Sequence, residues 1–229
     1  MTSSINTLLA LIKWPIALIA LAALPALFLS IIELATIVAE TPNPIILFGG
    51  GAALYWFLDK LIFHRQSVGS WFSTLEHEIT HAIFAWATLH RVAGMHVTSH
   101  KGGHVMIIGG GNWLIYIAPY WFPTLCIPIM LYAAYFSNPH PAWAAALGFT
   151  FMFHHISTWR ETHDGQTDLQ ETGFLFASLF LPTANLLAAG AVVSFAFGHT
   201  GFMLQFFDGV YDSLQTHLSI AFQYLAGKI

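Results

Sequence analysis

This sequence predicts an all-α polytopic membrane protein, with about six transmembrane helices and a re-entrant glycine-rich β-hairpin, on three observations. First, the 229 residues are 56% hydrophobic and only 8% charged, with a mean hydropathy of +0.66. A soluble domain carries about a quarter charged residues, and so few charges cannot cover a water-facing surface. Second, the apolar residues fall in long continuous runs rather than in strict alternation, which favours helices over a membrane barrel. Third, one stretch between these runs, from Arg91 to Asn112, is glycine-rich and reads as paired strands rather than helix.

The apolar runs set the elements. The first spans about Trp14 to Val38, with Pro15 near its start and Pro25 inside as a kink site. Thr41-Pro42-Asn43-Pro44 is a turn. The second runs from about Ile45 to Phe63 and ends among Lys60, His64 and Arg65, as a helix end at the membrane interface would. The third covers Ser70 to Leu89 without proline or internal glycine. The hairpin follows, turning at Lys101-Gly102-Gly103. The fourth run covers Trp113 to Phe136, and Asn138-Pro139-His140-Pro141 is a second turn. The fifth covers Ala142 to Thr158 and the sixth Leu169 to Phe197. After Gly198, apolar residues mix with Asp208, Asp212 and His217, which suits an amphipathic interfacial helix or a short seventh span. The chain reads as one membrane-embedded domain: two helices in 1–65, a core in 66–197 and a tail in 198–229.

Seven lysines and arginines give no basic patch, which argues against a nucleic-acid partner. A single cysteine, Cys126, lies in an apolar run and offers neither a disulfide framework nor a cysteine metal site. Thirteen histidines beside eleven acids and seven bases are the unusual ratio. Histidine suits lipid poorly and metal well.

The third run carries His77-Glu78-Ile79-Thr80-His81. On a helix, residues four apart share a face, so the two imidazoles can point at one ion. Zinc lowers the pKa of water bound to it toward 7, and the carboxylate of Glu78 sits where it can act as general base. Ionisable residues within a membrane span are costly and functional by default. The bland alternative is a set of helix–helix hydrogen bonds. A catalytic zinc takes three protein ligands and keeps one open position. Candidates for the third cluster in His163-Asp164-Gly165-Gln166-Thr167-Asp168. Counting spans puts this loop on the side where the His81 end of the third helix emerges. His154 and His155, deeper in the fifth run, are further candidates for a ligand or for a partner that orients one.

From the histidine helix onward, the order of motifs resembles the site-2 protease superfamily of intramembrane zinc metalloproteases. The glycine-rich hairpin, Ala118-Pro119-Tyr120-Trp121-Phe122-Pro123 opening the next helix, and an Asp-Gly loop before a later helix carry the rest of the likeness, over about residues 66 to 197. The resemblance implies a zinc held by two histidines and an aspartate, and a membrane protein or peptide as substrate. It also implies a hairpin edge that receives the substrate as an added strand. On that reading His77 and His81 are ligands and Glu78 is the base. Here His163-Asp164-Gly165-Gln166 stands in place of the family's Leu-Asp-Gly-Gly, and the preceding Asn-x-x-Pro is missing. Asp164 matches the Asp-Gly pair, whereas Asp168 opens the predicted sixth helix. Asp168 is favoured as third ligand, with Asp164 the alternative. The expected setting is a multi-pass protein of a bacterial cytoplasmic membrane, in contact with the lipid bilayer.

Asn112, after three glycines, is a candidate for binding substrate backbone or capping the next helix. His96, His100 and His104 read as a wet hairpin face, and Asn185 as an interhelical hydrogen bond. Two other functions compete: a membrane di-iron lipid hydroxylase or desaturase, with His77/His81 and His154-His155 as its boxes, and a protease-like protein that binds without cutting.

Overall fold

A computed structural model describes residues 2–62, 67–98, 102–136 and 139–227. Phe63, His64, Arg65, His100, Lys101 and Asn138, invoked above for helix ends and turns, lie outside the described residues. The fold is mostly helical, with one two-stranded antiparallel sheet. In chain order the elements are α1 (Thr2–Glu40), α2 (Ile46–Leu61), α3 (Ser67–Ala87), β1 (Arg91–Val97), β2 (Gly103–Ile108), α4 (Trp113–Ile117), α5 (Cys126–Tyr135), α6 (Ala142–Glu161), α7 (Thr167–Thr172) and α8 (Phe174–Leu225). Short 3-10 turns cover Asn43–Ile45 and Ala118–Tyr120.

Among the described residues, two helices, α1 and α8, are long and apolar enough to cross a membrane. The 39 residues of α1 rise about 58 Å, well beyond a hydrocarbon core of about 30 Å. Helix α1 continues through Pro15 and Pro25 and begins twelve residues before the apolar run that announced it. It packs chiefly along α8, with Ala17, Ala20 and Ala26 buried at the contact. Its other face leaves Leu11, Leu18 and Ile19 more than 60% exposed. Helix α8 breaks at Gly198 and His199, whose backbone leaves the helical region. Beyond the break the chain folds back: Phe206 is buried with Leu27 and Leu34 of α1, and its ring fills the space beside Gly190. The expected end of the sixth run at Phe197 therefore coincides with a real reversal, and the tail is a packed helix.

Two expected helices are divided. The fourth run is not one span: α4 gives way to a 3-10 turn at Ala118, and α5 begins only at Cys126. Pro119 and Pro123 withhold backbone donors here, and each constrains the residue before it. The sixth run is cut at Gly173, where φ is +86°, a backbone conformation that side chains rarely allow. Asp168 consequently sits on a separate six-residue helix, α7, rather than on the long apolar helix.

Helix α2 lies along α6. A Cβ on Gly51 would meet the Ala145 carbonyl oxygen at 1.8 Å, and one on Gly148 would meet that of Phe48 at 1.9 Å, so the two backbones touch where these helices cross. Near the C-termini of these helices, fully buried Asp59 accepts two hydrogen bonds from Arg160, at 2.8 and 2.5 Å. The hairpin pairs Arg91 with Ile108 and His96 with His104, with a bulge between Val92 and Gly94. It forms where the glycine-rich stretch predicted paired strands, and it lies against α3.

Candidate metal centre

Helix α3 supplies two of the candidate ligands. Its period sets His77 and His81 one turn apart on one face, with ring centroids 4.7 Å apart. Each ring is held by its Nδ1. That of His77 is 2.7 Å from Glu161 Oε2, at the end of α6, and that of His81 is 2.8 Å from the Ile115 carbonyl oxygen of α4. Both partners are acceptors, so each neutral ring carries its proton on Nδ1 and leaves a lone pair on Nε2. Both Nε2 atoms face one carboxylate: Asp168 Oδ2 is 3.1 Å from that of His77 and 3.2 Å from that of His81.

This arrangement fits a metal ion. The candidate ligand atoms of His77, His81 and Asp168 all lie within 4.8 Å of one another. Two lone pairs and a carboxylate oxygen facing each other repel unless positive charge lies among them. Two imidazoles and one carboxylate are a usual donor set for zinc with an open position.

The centre opens on a cavity of about 460 Å³ lined by the three groups, Glu78, Glu161 and, from β2, Gly103, Val105 and Ile107. Glu78 is 5% exposed. A Cβ on Gly103 would lie 2.7 Å from Glu78 Cγ and 2.8 Å from its Oε1. The first residue of β2 thus rests on the carboxylate, and only glycine leaves it room.

The remaining candidates sit elsewhere. Asp164 is exposed in the turn before α7, where its backbone carbonyl accepts from Gln170 Nε2 at 2.9 Å. His163 is exposed and accepts from the Gly165 amide. His154 turns to Glu76, 3.4 Å away, and His155 donates to the Phe151 carbonyl. Neither joins the cluster, so a second histidine box is not assembled among the described residues. Asn112 caps α4: its Oδ1 accepts from the amides of Leu114 and Ile115, and its Nδ2 donates to Asn6 and Thr88. Those bonds make it the helix cap that was one of its two expected roles, and it is not among the residues lining the cavity. Asn185 donates to the Tyr120 carbonyl and to that of Leu181 in its own helix, the first being the interhelical bond expected of it. His96 and His104 face each other across the hairpin with centroids 5.7 Å apart.

Four groups at the site are given no role there by the motifs: Glu161, Ser73, Tyr120 and the Ile115 carbonyl. Glu161 lies seven residues before Asp168 beside Arg160, where a charge pair near a helix end looks like an interface feature. The Ser73 hydroxyl hydrogen-bonds the other Glu161 oxygen, Oε1. Tyr120 is 1% exposed and sets its ring edge-on to His77, at 5.4 Å. The Ile115 carbonyl, being backbone, leaves no trace in residue type.

The Peptidase M50B-like family matches residues 47–217, more than half of the chain, and the chain belongs to it. This bears out the resemblance to site-2 proteases drawn from the motif order. The family is membrane-embedded, and its members are generally metallopeptidases. No curated protein and no solved structure matches the chain. The matched region contains His77, Glu78, His81, Glu161 and Asp168, and leaves α1 outside.

Proposed function

We propose that the protein is a zinc-dependent intramembrane endopeptidase that hydrolyses peptide bonds of membrane-associated substrates. One observation carries this reading: two imidazole Nε2 atoms and a carboxylate converge on one point, and a buried glutamate shares their cavity. His77, His81 and Asp168 would hold the ion, which supplies Lewis acidity toward water and a carbonyl. Glu161 and the Ile115 carbonyl keep both rings turned toward it. Glu78 takes a proton from the attacking water as the new carbon–oxygen bond forms. It then gives that proton to the amide nitrogen as the carbon–nitrogen bond breaks. Strand β2, along the cavity wall, holds an extended substrate by main-chain hydrogen bonds. A helical substrate must unwind to lie there, because its peptide groups are otherwise bonded internally.

The membrane setting is multi-pass. Helix α1 and the first half of α8 cross the bilayer as a pair, with α2 lying along α6 and α3 against the hairpin and α4. The exposed Leu, Ile and Phe side chains of these helices face lipid, since water would penalise so large an apolar surface. Charge gives no orientation, and we set the His81 end toward the cytoplasm because the resemblance to site-2 proteases implies it.

The test uses the full chain purified in detergent. Elemental analysis is expected to find one zinc per chain, and two irons would overturn the reading. Glu78→Gln is expected to keep the zinc and stop cleavage of a membrane-span peptide. Cleavage undiminished in that variant would remove Glu78 from the mechanism. A wild-type protein that holds zinc yet cuts no membrane peptide would favour the binding-only alternative.

A further inference from the structure

Helix α1 lies outside the region matched to the family, yet its first turns touch both elements that complete the metal centre. Asn6, Leu9 and Lys13 recur at helical spacing and bond in one direction. The Lys13 ammonium donates to the Thr172 carbonyl at 2.6 Å, at the last residue of α7. It also lies 5.0 Å from the centroid of the Phe176 ring. The Leu9 carbonyl accepts from Trp113 Nε1 at 2.7 Å, and Asn6 Oδ1 accepts from Asn112 Nδ2 at 3.1 Å, both at the start of α4. One turn further on, Ala17 is fully buried in a core with Trp113, Ile117, Tyr120, Leu169 and Phe176.

What these contacts hold is specific. Helix α7 carries Asp168, next to the buried Leu169, and α4 carries the Ile115 carbonyl that orients His81. Both are too short to be stable alone: six and five residues fall far below the length at which an isolated helix persists. Each also adjoins a point where the chain is free to swing. Gly173 follows α7 at positive φ, and Gly109 and Gly110, also at positive φ, precede α4. Their positions must therefore come from packing, and α1 provides a shared wall for both.

We propose that the first four turns of α1 are a positioning element of the metal centre. They set Asp168 through Lys13 and the end of α7, and set the His81 ring through α4. Lys13 is a positioning residue: its ammonium never reaches the ion, and it acts by fixing the helix that presents the carboxylate. The inference rests on the reading of His77, His81 and Asp168 as ligands.

The experiment measures zinc affinity of the full chain in detergent by chelator competition, together with the visible spectrum after cobalt(II) replacement, which reports ligand geometry. Thermal stability is followed alongside. Lys13→Met keeps the apolar stem and removes the donor, and is expected to weaken zinc binding about tenfold or more and to alter the cobalt bands. Lys13→Arg restores a donor and is expected to recover affinity to within about threefold of wild type. Trp113→Phe, which removes only the bond to Leu9, is expected to weaken binding by a smaller factor of about three and serves if Lys13→Met does not fold. Wild-type affinity and spectrum in Lys13→Met, or in Trp113→Phe where that variant has to serve, would overturn the positioning role while leaving the centre intact. Equal loss in the Met and Arg variants with a matching fall in melting temperature would overturn it too, by reducing Lys13 to general stability. A wild-type chain that binds no zinc, or one whose zinc affinity His77→Ala leaves unchanged, would instead overturn the ligand reading beneath it.

Discussion

The two sides of the cavity are built on opposite principles. On one side a single uninterrupted helix, α3, presents His77, Glu78 and His81 from consecutive turns. On the other, Glu161, Asp168 and the Ile115 carbonyl come from a helix end and from two helices of six and five residues. The first side is set by the helical repeat, so its geometry follows from local structure alone. The second exists only when distant parts of the chain are docked, because nothing local fixes one short helix relative to another. A site can thus take its chemistry from a rigid element and its completeness from soft ones.

Breaking the rigid side gives the largest effects. Replacing His77 or His81 by alanine is expected to abolish zinc retention and cleavage together, read by elemental analysis and by product formation. Glu78→Gln is expected to lower the cleavage rate by about 10³-fold with zinc retained, the loss typical of removing a general base. A valine at Gly103 probes the seam between the two sides. Its side chain has to displace the Glu78 carboxylate, and cleavage is expected to fall by at least about tenfold while zinc content holds, since no ligand moves. On the soft side, Glu161→Gln keeps the shape but weakens the acceptor for His77 Nδ1. Zinc affinity is expected to drop about 10- to 100-fold, measured by chelator titration. The smallest effect belongs to Asp164→Asn, which removes an exposed charge from a turn outside the cluster. Its zinc affinity and cleavage rate are expected to stay within about twofold of wild type. If Asp164→Asn lost zinc and Asp168→Asn did not, the pairing of the two sides drawn here would be the wrong one.

The same contrast decides what could be read from the sequence. His77, Glu78 and His81 were legible because a four-residue spacing maps directly onto one helical face. The hairpin was legible because glycines interrupt the apolar pattern between Arg91 and Asn112, although its strand register needed the paired backbone. Helix limits were less so. Hydropathy runs without a break from Trp113 to Phe136, and Pro119 and Pro123 were the only sign that this stretch is two helices joined by a turn. Gly173 is one glycine among eighteen, and its positive φ appears only with the backbone. Asp168 is favoured by its place at a helix start, but the helix it starts is short and separate. Glu161 is not legible because its role depends on α6 ending beside Ser73 and His77, a tertiary fact. Asn112 was ambiguous for the same reason: whether a capping side chain also meets substrate depends on what already surrounds it.

The crossing of α2 and α6 has a consequence for this division. With Gly51 and Gly148 the two backbones bear directly on each other, so the contact behaves as a fulcrum. Glu161 stands thirteen residues along α6 from Gly148, a lever arm of about 20 Å at 1.5 Å per residue. A wedge as small as one methyl group that tilted the arm by about five degrees would carry the carboxylate roughly 1.5–2 Å, enough to lose its bond with His77. The tolerance of the metal centre is thus written partly in two glycines remote from it, and the Asp59–Arg160 clamp is the brace that keeps the far end of the arm from swinging.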